Sequence, residues 1–322
     1  MQTQSRRAVL AGFASLALSS QPGTAQEQAL KIVFPFSAGA SADAVARLIA
    51  EHLQKSLSRP VIIENKVGAG GRIGAQAVKD ALPNGAMLLF ASGAQLTLQP
   101  HVFPRLGYDP FVDFMPISQV VKFDLALAVS SQLPVHSIKE LVAWFKTNPA
   151  EAVYGTPGAG TGAHFAAIEF ARVFGLDLRH VAYRGTPAAL PDLLTGRVPM
   201  YLASSAELLE QHKSGGIRIL AIAEATRSPI LPDIPTLKES GVEVEAPGWF
   251  AFYAPAHTPG ETIESLAKAI VMATRTPETN AKILALGFQP TGTTPEELKQ
   301  LQRAQFERWG SVVTASGFKA EQ

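Results

Sequence analysis

Five short loops of this chain are built almost wholly from Gly, Ala, Ser and Thr, each where a strand-like run gives way to a helical pattern. They are Ser37-Ala38-Gly39-Ala40-Ser41-Ala42-Asp43, Gly68-Ala69-Gly70-Gly71, Ser92-Gly93-Ala94, Pro157-Gly158-Ala159-Gly160-Thr161-Gly162 and Arg184-Gly185-Thr186-Pro187. Residues this small let backbone N–H groups approach a ligand, and helix N-termini favour negative charge. The chemistry they suit is non-covalent capture of a small anion. One Gly-rich turn is better explained by sterics alone, but five in matching positions argue for binding. The candidate contacts are Phe36, Ser37, Ala38, Gly39, Ala40 and Asp43, then Gly70, Ser92 and Gly93. From the second half come Gly160, Thr161, His164, Arg184, Gly185, Thr186 and Ser204.

Three of these have competing roles. Asp43 at a helix start orders its own loop by accepting N–H bonds, or else meets a ligand amine. His164 is a structural hydrogen-bond partner or a ligand contact. Arg184 clamps a carboxylate or lines a solvated rim. In the five loops Asp43 is the only acid. A buried ammonium without an anionic partner is costly, so the expected ligand is a carboxylate without an amino group.

Nucleotide and enzyme readings find little support. No Gly-x-x-x-x-Gly-Lys-Ser/Thr occurs, no Gly-x-Gly-x-x-Gly opens the first helix, and the Gly158 to Gly162 loop lacks the third spaced glycine of a dinucleotide fingerprint. His52, His101, His136, His164, His180, His212 and His257 form no His-x-x-x-His pair, and no Gly-x-Ser-x-Gly elbow is present. No metal or cofactor is expected. A hydrolase or isomerase of a small carboxylate is the alternative from another class, since Ser, His and Asp can converge from anywhere.

The elements that must position the loops alternate strand and helix from Leu30 onward. Leu30 to Phe34, Val61 to Ile63, Met87 to Ala91, Leu125 to Val129, Val153 to Thr156, His180 to Tyr183, Met200 to Leu202, Ile217 to Ile222 and Trp249 to Tyr253 read as strands. Such alternation predicts parallel-type sheets with helices on both faces. Two similar blocks followed by a helical tail predict an α/β protein of two lobes. The expected boundaries are residues 26–125 plus 246–322 for a discontinuous first lobe and 126–245 for the second. Phe306, Trp309 and Val313 share a face that should dock the last helix.

The first 25 residues read as an export signal. Arg6-Arg7 precedes the apolar run Ala8 to Leu18, and Gly23 and Ala25 fit the −3 and −1 positions of a cut before Gln26. The arginine pair fits twin-arginine export, and an ordinary secretory signal is the other reading. Cleavage leaves 26 basic and 27 acidic residues. A near-neutral chain argues against nucleic acid as partner. The chain has no cysteine, which excludes disulfides, thiolate metal sites and a lipid-anchoring cysteine. A soluble periplasmic monomer is expected.

At these loops the chain resembles the Bug-type receptors, the periplasmic binding components of tripartite tricarboxylate transporters. The resemblance covers essentially all the mature chain. It rests on Ile32-Val33-Phe34-Pro35-Phe36-Ser37-Ala38-Gly39 with Asp43, and on Val61-Ile62-Ile63-Glu64-Asn65-Lys66 leading to Gly68-Ala69-Gly70-Gly71-Arg72-Ile73-Gly74. Tyr108-Asp109-Pro110, Asp113-Phe114, Thr161-Gly162-Ala163-His164 and Tyr183-Arg184-Gly185 follow. Arg227-Ser228-Pro229, Leu231-Pro232-Asp233-Ile234-Pro235-Thr236 and Trp249-Phe250 complete it. The resemblance implies a Venus-flytrap fold with crossover strands and a small carboxylate ligand, which across the family ranges from di- and tricarboxylates to amino acids and aromatic acids. With the single acid of the loops, a dicarboxylate, a tricarboxylate or an aromatic acid is expected here. It implies delivery to membrane permease subunits, with a sensor role towards a membrane kinase as the other reading. The chain departs from the family pattern at Ala40, where a second glycine is usual, and at Arg184, where lysine is usual. It also lacks the acid often found near Ala203-Ser204. These positions lie where a ligand would be selected.

Overall fold

The computed structural model describes residues 29–318, so the export segment expected over residues 1–25 lies outside the described residues. The first block runs β1 (Leu30–Phe34), α1 (Ser41–Leu57), β2 (Val61–Asn65), α2 (Arg72–Lys79), β3 (Met87–Ser92), α3 (Gly93–Thr97), α4 (Gln99–Val102) and β4 (Phe114–Phe123). The second runs β5 (Leu125–Ser130), α5 (Ile138–Thr147), β6 (Val153–Thr156), α6 (Gly162–Phe174), β7 (Arg179–Ala182), α7 (Thr186–Leu194), β8 (Met200–Ser204), α8 (Ser205–Lys213) and β9 (Ile217–Ile222). The chain then returns through β10 (Gly248–Pro255), α9 (Gly260–Arg275), α10 (Pro277–Ala285), β11 (Gln289–Pro290) and α11 (Pro295–Ser316).

These strands make two sheets, ordered β11-β4-β10-β3-β1-β2 and β7-β6-β8-β5-β9. The chain passes from one to the other twice, through the single residue Asp124 between β4 and β5 and through residues 223–247 between β9 and β10. Neither sheet is wholly parallel. β10 runs antiparallel to β3 and β4, and β5 runs antiparallel to β8 and β9. β5 and β10, the strands by which the chain enters a sheet after a crossover, run against the βαβ strands, whereas β4 and β9, by which it leaves, run with them.

Spacing alone gives no strand over residues 114–123, yet β4 is the longest strand among the described residues. Pro116, Ser118 and Gln119 break its apolar pattern. Pro116 stands opposite Tyr253 beside a register shift, where a missing ladder donor is tolerated.

Helix α1 buries Val45, Ile49 and Leu53, one turn apart, against the first sheet. Full burial of each contributes about 1.5–3 kcal/mol. Helix α11 packs on both halves. Leu298 belongs to the core beside Trp249, whereas Trp309 and Val313 belong to the core of the second sheet with Leu127 and Phe165. Trp249 Nε1 donates to Gln305 Oε1 at 2.8 Å, and Arg308 donates to the Glu245 carbonyl at 2.6 Å. The last helix is thus a strap across both lobes.

Candidate functional site

The carboxyl ends of β1, β2, β3, β6 and β7 carry the small-residue loops, the edge where α/β sheets bind ligands, and β8 ends beside them at Ser204. In the first loop Asp43 is 3% exposed and fully engaged. Its Oδ2 accepts the Gly39 N–H at 3.1 Å and Arg47 Nε at 2.8 Å, while Oδ1 accepts Asn65 Nδ2 at 2.9 Å. Asn65 Nδ2 also donates to the Phe36 carbonyl at 3.1 Å. Burial alone would raise the Asp43 carboxyl, but the bonds from Arg47, Asn65 and Gly39 and the Arg47 charge outweigh it and hold it below its ordinary range. Asp43 therefore ties the loop to α1 and β2. The N–H groups of Ser37, Ala38 and Ala40 make no hydrogen bond among the described residues, whereas that of Gly39 is taken.

Several other backbone donors are occupied as well. The Ser92 N–H donates to Gln95 Oε1 at 3.0 Å, and the Gly185 N–H donates to the Pro157 carbonyl at 3.1 Å. Gly93 is needed for space, because a Cβ there would lie 2.3 Å from the Trp249 ring. The Gly70 carbonyl accepts Gln99 Nε2 at 2.8 Å.

The Thr161 loop is held from within. Thr161 caps α6 by accepting the His164 N–H at 3.2 Å, and its hydroxyl donates to the Gly158 carbonyl at 2.9 Å. His164 is 3% exposed, and its Nδ1 accepts the Gly160 N–H at 3.1 Å. Its ring stacks on His180 with centroids 4.0 Å apart, and His180 in turn stacks on Tyr154 at 4.8 Å. Burial, helped by the neighbouring His180, pushes His164 down to about 3. Burial pushes His180 down to about 4. Both rings are therefore neutral at ordinary pH, and His164 orders its loop.

Thr186 is 1% exposed, donates to Glu207 Oε2 at 2.5 Å and accepts the Tyr201 hydroxyl at 3.2 Å. Glu207 lies in the first turn of α8, so this bond joins the N-terminal turns of α7 and α8. Burial raises the Glu207 carboxyl, with the Thr186 bond opposing. Arg184 is exposed and makes no ion pair among the described residues. Ser204 Oγ, Ser205 Oγ and Asp124 Oδ2 are buried without a partner where β8 and the first crossover meet. Spacing within the loops singles out neither Asn65, Asp124 nor Glu207. The available signal is position, since Asn65 ends β2 and Glu207 follows β8 by three residues.

The two walls touch. A Cβ on Gly160 would lie 3.0 Å from Val102 and 3.6 Å from two ring carbons of Phe103, across from the second lobe to the first. Among the described residues no group of three His, Cys, Asp or Glu is placed to hold a metal ion, and no helix is long and apolar enough to cross a membrane.

Comparison with known proteins agrees with this geometry. The model of the tripartite tricarboxylate transporter family receptor, TctC, matches residues 45–318. The protein BugT of Bordetella pertussis is 32% identical over 308 residues, covering 95% of this chain and 94% of BugT. The structure of the periplasmic binding protein BugD superposes with a TM-score of 0.84 at 30% identity, covering 92% of this chain and 99% of BugD. The Rpa4515 protein of R. palustris, solved with adipate, gives 0.85 at 29% identity, covering 90% and 97%. The chain accordingly belongs to the tripartite tricarboxylate transporter receptors, periplasmic solute-binding proteins and not enzymes.

Proposed function

We propose that this receptor captures a small carboxylate without an amino group, a dicarboxylate above all, and presents it to the permease subunits of a tripartite transporter. In this reading residues 26–125 plus 246–322 form one lobe and residues 126–245 the other. Residues 1–25 direct export and are removed near Ala25. The observation that carries the ligand class is the set of unspent donors in the first loop, the N–H groups of Ser37, Ala38 and Ala40. Asp43, the one acid of the five loops, is already committed to Gly39, Arg47 and Asn65 and has no capacity for a ligand ammonium group. The adipate carried by the R. palustris relative is of the same class.

One observation favours a second reading, an amino-acid ligand. Glu207 places a carboxylate beside Thr186, at the first turns of α7 and α8. Calorimetry on matched pairs decides between them, with succinate against aspartate and glutarate against glutamate. Tighter binding of the amine-free member of each pair is expected. Tighter binding of the amino acids, lost on Glu207→Gln, would establish the second reading instead.

A further inference from the structure

The first lobe contains a guanidinium group whose hydrogen-bonding capacity the chain does not use. Arg72 is the first residue of α2, directly after the Gly68-Ala69-Gly70-Gly71 loop. Its Cζ lies 3.9 Å from the centroid of the Phe103 ring. That ring packs against the core that holds Leu127 and Phe165 of the second half, and a Cβ added to Gly160 would come within 3.6 Å of it. Arg72 therefore stands one ring away from the contact between the lobes. Its Nη1 is buried and has no hydrogen-bond partner, and it forms no ion pair among the described residues.

The surroundings are rich in donors. Gln95 is fully buried, its Oε1 is taken by the Ser92 N–H, and its Nε2 has no partner. That amide nitrogen lies against Gly71, since a Cβ on Gly71 would approach it to 2.0 Å. The Tyr108 hydroxyl donates to the Gln95 carbonyl at 2.8 Å and approaches Gln99 Oε1 at 3.4 Å, and the Gln99 amide donates to the Gly70 carbonyl. The Gln95 and Gly70 carbonyls each already accept a bond, none of these groups bonds the guanidinium, and no Asp or Glu is bonded to it.

An arginine keeps its charge in any protein environment and offers five N–H donors with no acceptor. A buried donor of this kind without a partner is costly. The acceptor that completes it must come from outside the chain and, facing a fixed positive charge, is best an anion. We infer that Arg72 is a ligand-anchoring residue: its guanidinium, seated on Phe103, binds one carboxylate of the captured solute as the lobes close. This inference rests on the carboxylate reading above and adds to it the group in the first lobe that reads the charge. Neutral backbone donors and one fixed cation together favour ligands with a fully ionised carboxylate over their amides or esters.

The test is a pair of measurements on the mature protein. Calorimetry with adipate, succinate and benzoate is made on wild type, Arg72→Gln and Arg72→Lys, and thermal unfolding of each is recorded without ligand. Arg72→Gln should weaken the best of the three ligands at least tenfold, while its ligand-free melting temperature equals or exceeds that of wild type, because an uncompensated charge has been removed. Arg72→Lys should recover part of the affinity. A purely structural arginine would instead lower the ligand-free melting temperature. An Arg72→Gln protein that binds within twofold of wild type overturns this inference alone. So does one whose ligand-free melting temperature falls, if Arg72→Lys retains wild-type stability but regains no affinity. Wild-type protein that binds none of the three overturns the carboxylate reading, and this inference with it.

Discussion

Gly287, in the turn between α10 and β11, packs so closely on Ala206 of α8 that a Cβ at Gly287 would lie 2.8 Å from the Ala206 Cα. Ala206 comes from the second sheet's half of the chain yet sits in the core of the first, with Phe250 and Phe288. The neighbouring backbone cannot yield as a flexible side chain would. Gly287→Ala should therefore separate the lobes at this contact and weaken ligand binding several-fold. Its positive φ of 82° adds strain of about 1 kcal/mol by itself. Gly292→Ala is the control, with a φ of 84° and no contact closer than 3.6 Å. Small-angle scattering should show a larger radius of gyration for Gly287→Ala only. Equal radii for both variants would contradict a role for the Gly287–Ala206 contact in holding the lobes together.

Asp43→Asn should loosen the first loop without discriminating among ligands. It removes an acceptor shared by Gly39, Arg47 and Asn65, with an expected loss of about 1–3 kcal/mol in urea unfolding. Because the folded carboxyl titrates below its ordinary value, the stability is present at neutral pH and disappears as pH falls through the folded pKa. Aspartate and succinate should be weakened by the same factor. A selective loss of aspartate would show instead that Asp43 holds a ligand amine.

The His164–His180 stack makes the fold sensitive to mild acid. Both rings titrate far below the value of about 6.5 of a free imidazole, so the unfolded chain takes up protons that the folded one refuses. Their stabilisation is intact above pH ~6.5 and is lost progressively as pH falls towards the folded values. His180→Asn should flatten the decline in urea midpoint between pH 7 and 5. An unchanged slope would refute the assignment.

Glu224 acts in the opposite direction and on the second crossover. Burial, reinforced by the charges of Asp124 and Glu245, pushes its carboxyl up to about 8, while Lys122 and Arg308 oppose the rise. The folded chain holds a proton that the unfolded chain releases above its ordinary value near 4.5. The resulting stabilisation is complete below that value and is lost as pH rises through about 8. Glu224→Gln should raise the urea midpoint at pH 9 relative to wild type and change it little at pH 5. Equal midpoints at pH 9 would show that the group is freely solvated.

The helices and strands that frame the site were legible in the residues because their signals are local. The one-turn spacing of Val45, Ile49 and Leu53 and the compact runs at Leu30 to Phe34 and Ile217 to Ile222 need no distant partner. β4 was not legible, since its ladder to β10 supplies what Pro116, Ser118 and Gln119 conceal. The antiparallel entry of β5 and β10 is likewise a property of two sheets together.

The sequence by itself determined where donors could be presented: small residues at strand ends, the Thr161 loop before a helical pattern, and a first loop with a single acid. The tertiary structure decided which donors remain available. Asn65, 22 positions from Asp43, completes the network that consumes that acid. His164 takes the Gly160 N–H, Glu207 takes the Thr186 hydroxyl, and Arg72 is left without a partner beside Phe103. Helical and strand periodicity is written over a few residues, where each backbone bond is made to a near neighbour or a regular ladder. Whether a polar group is spent or free depends on which acceptor the folded chain brings within about 3 Å, and that acceptor lies at no fixed spacing along the chain.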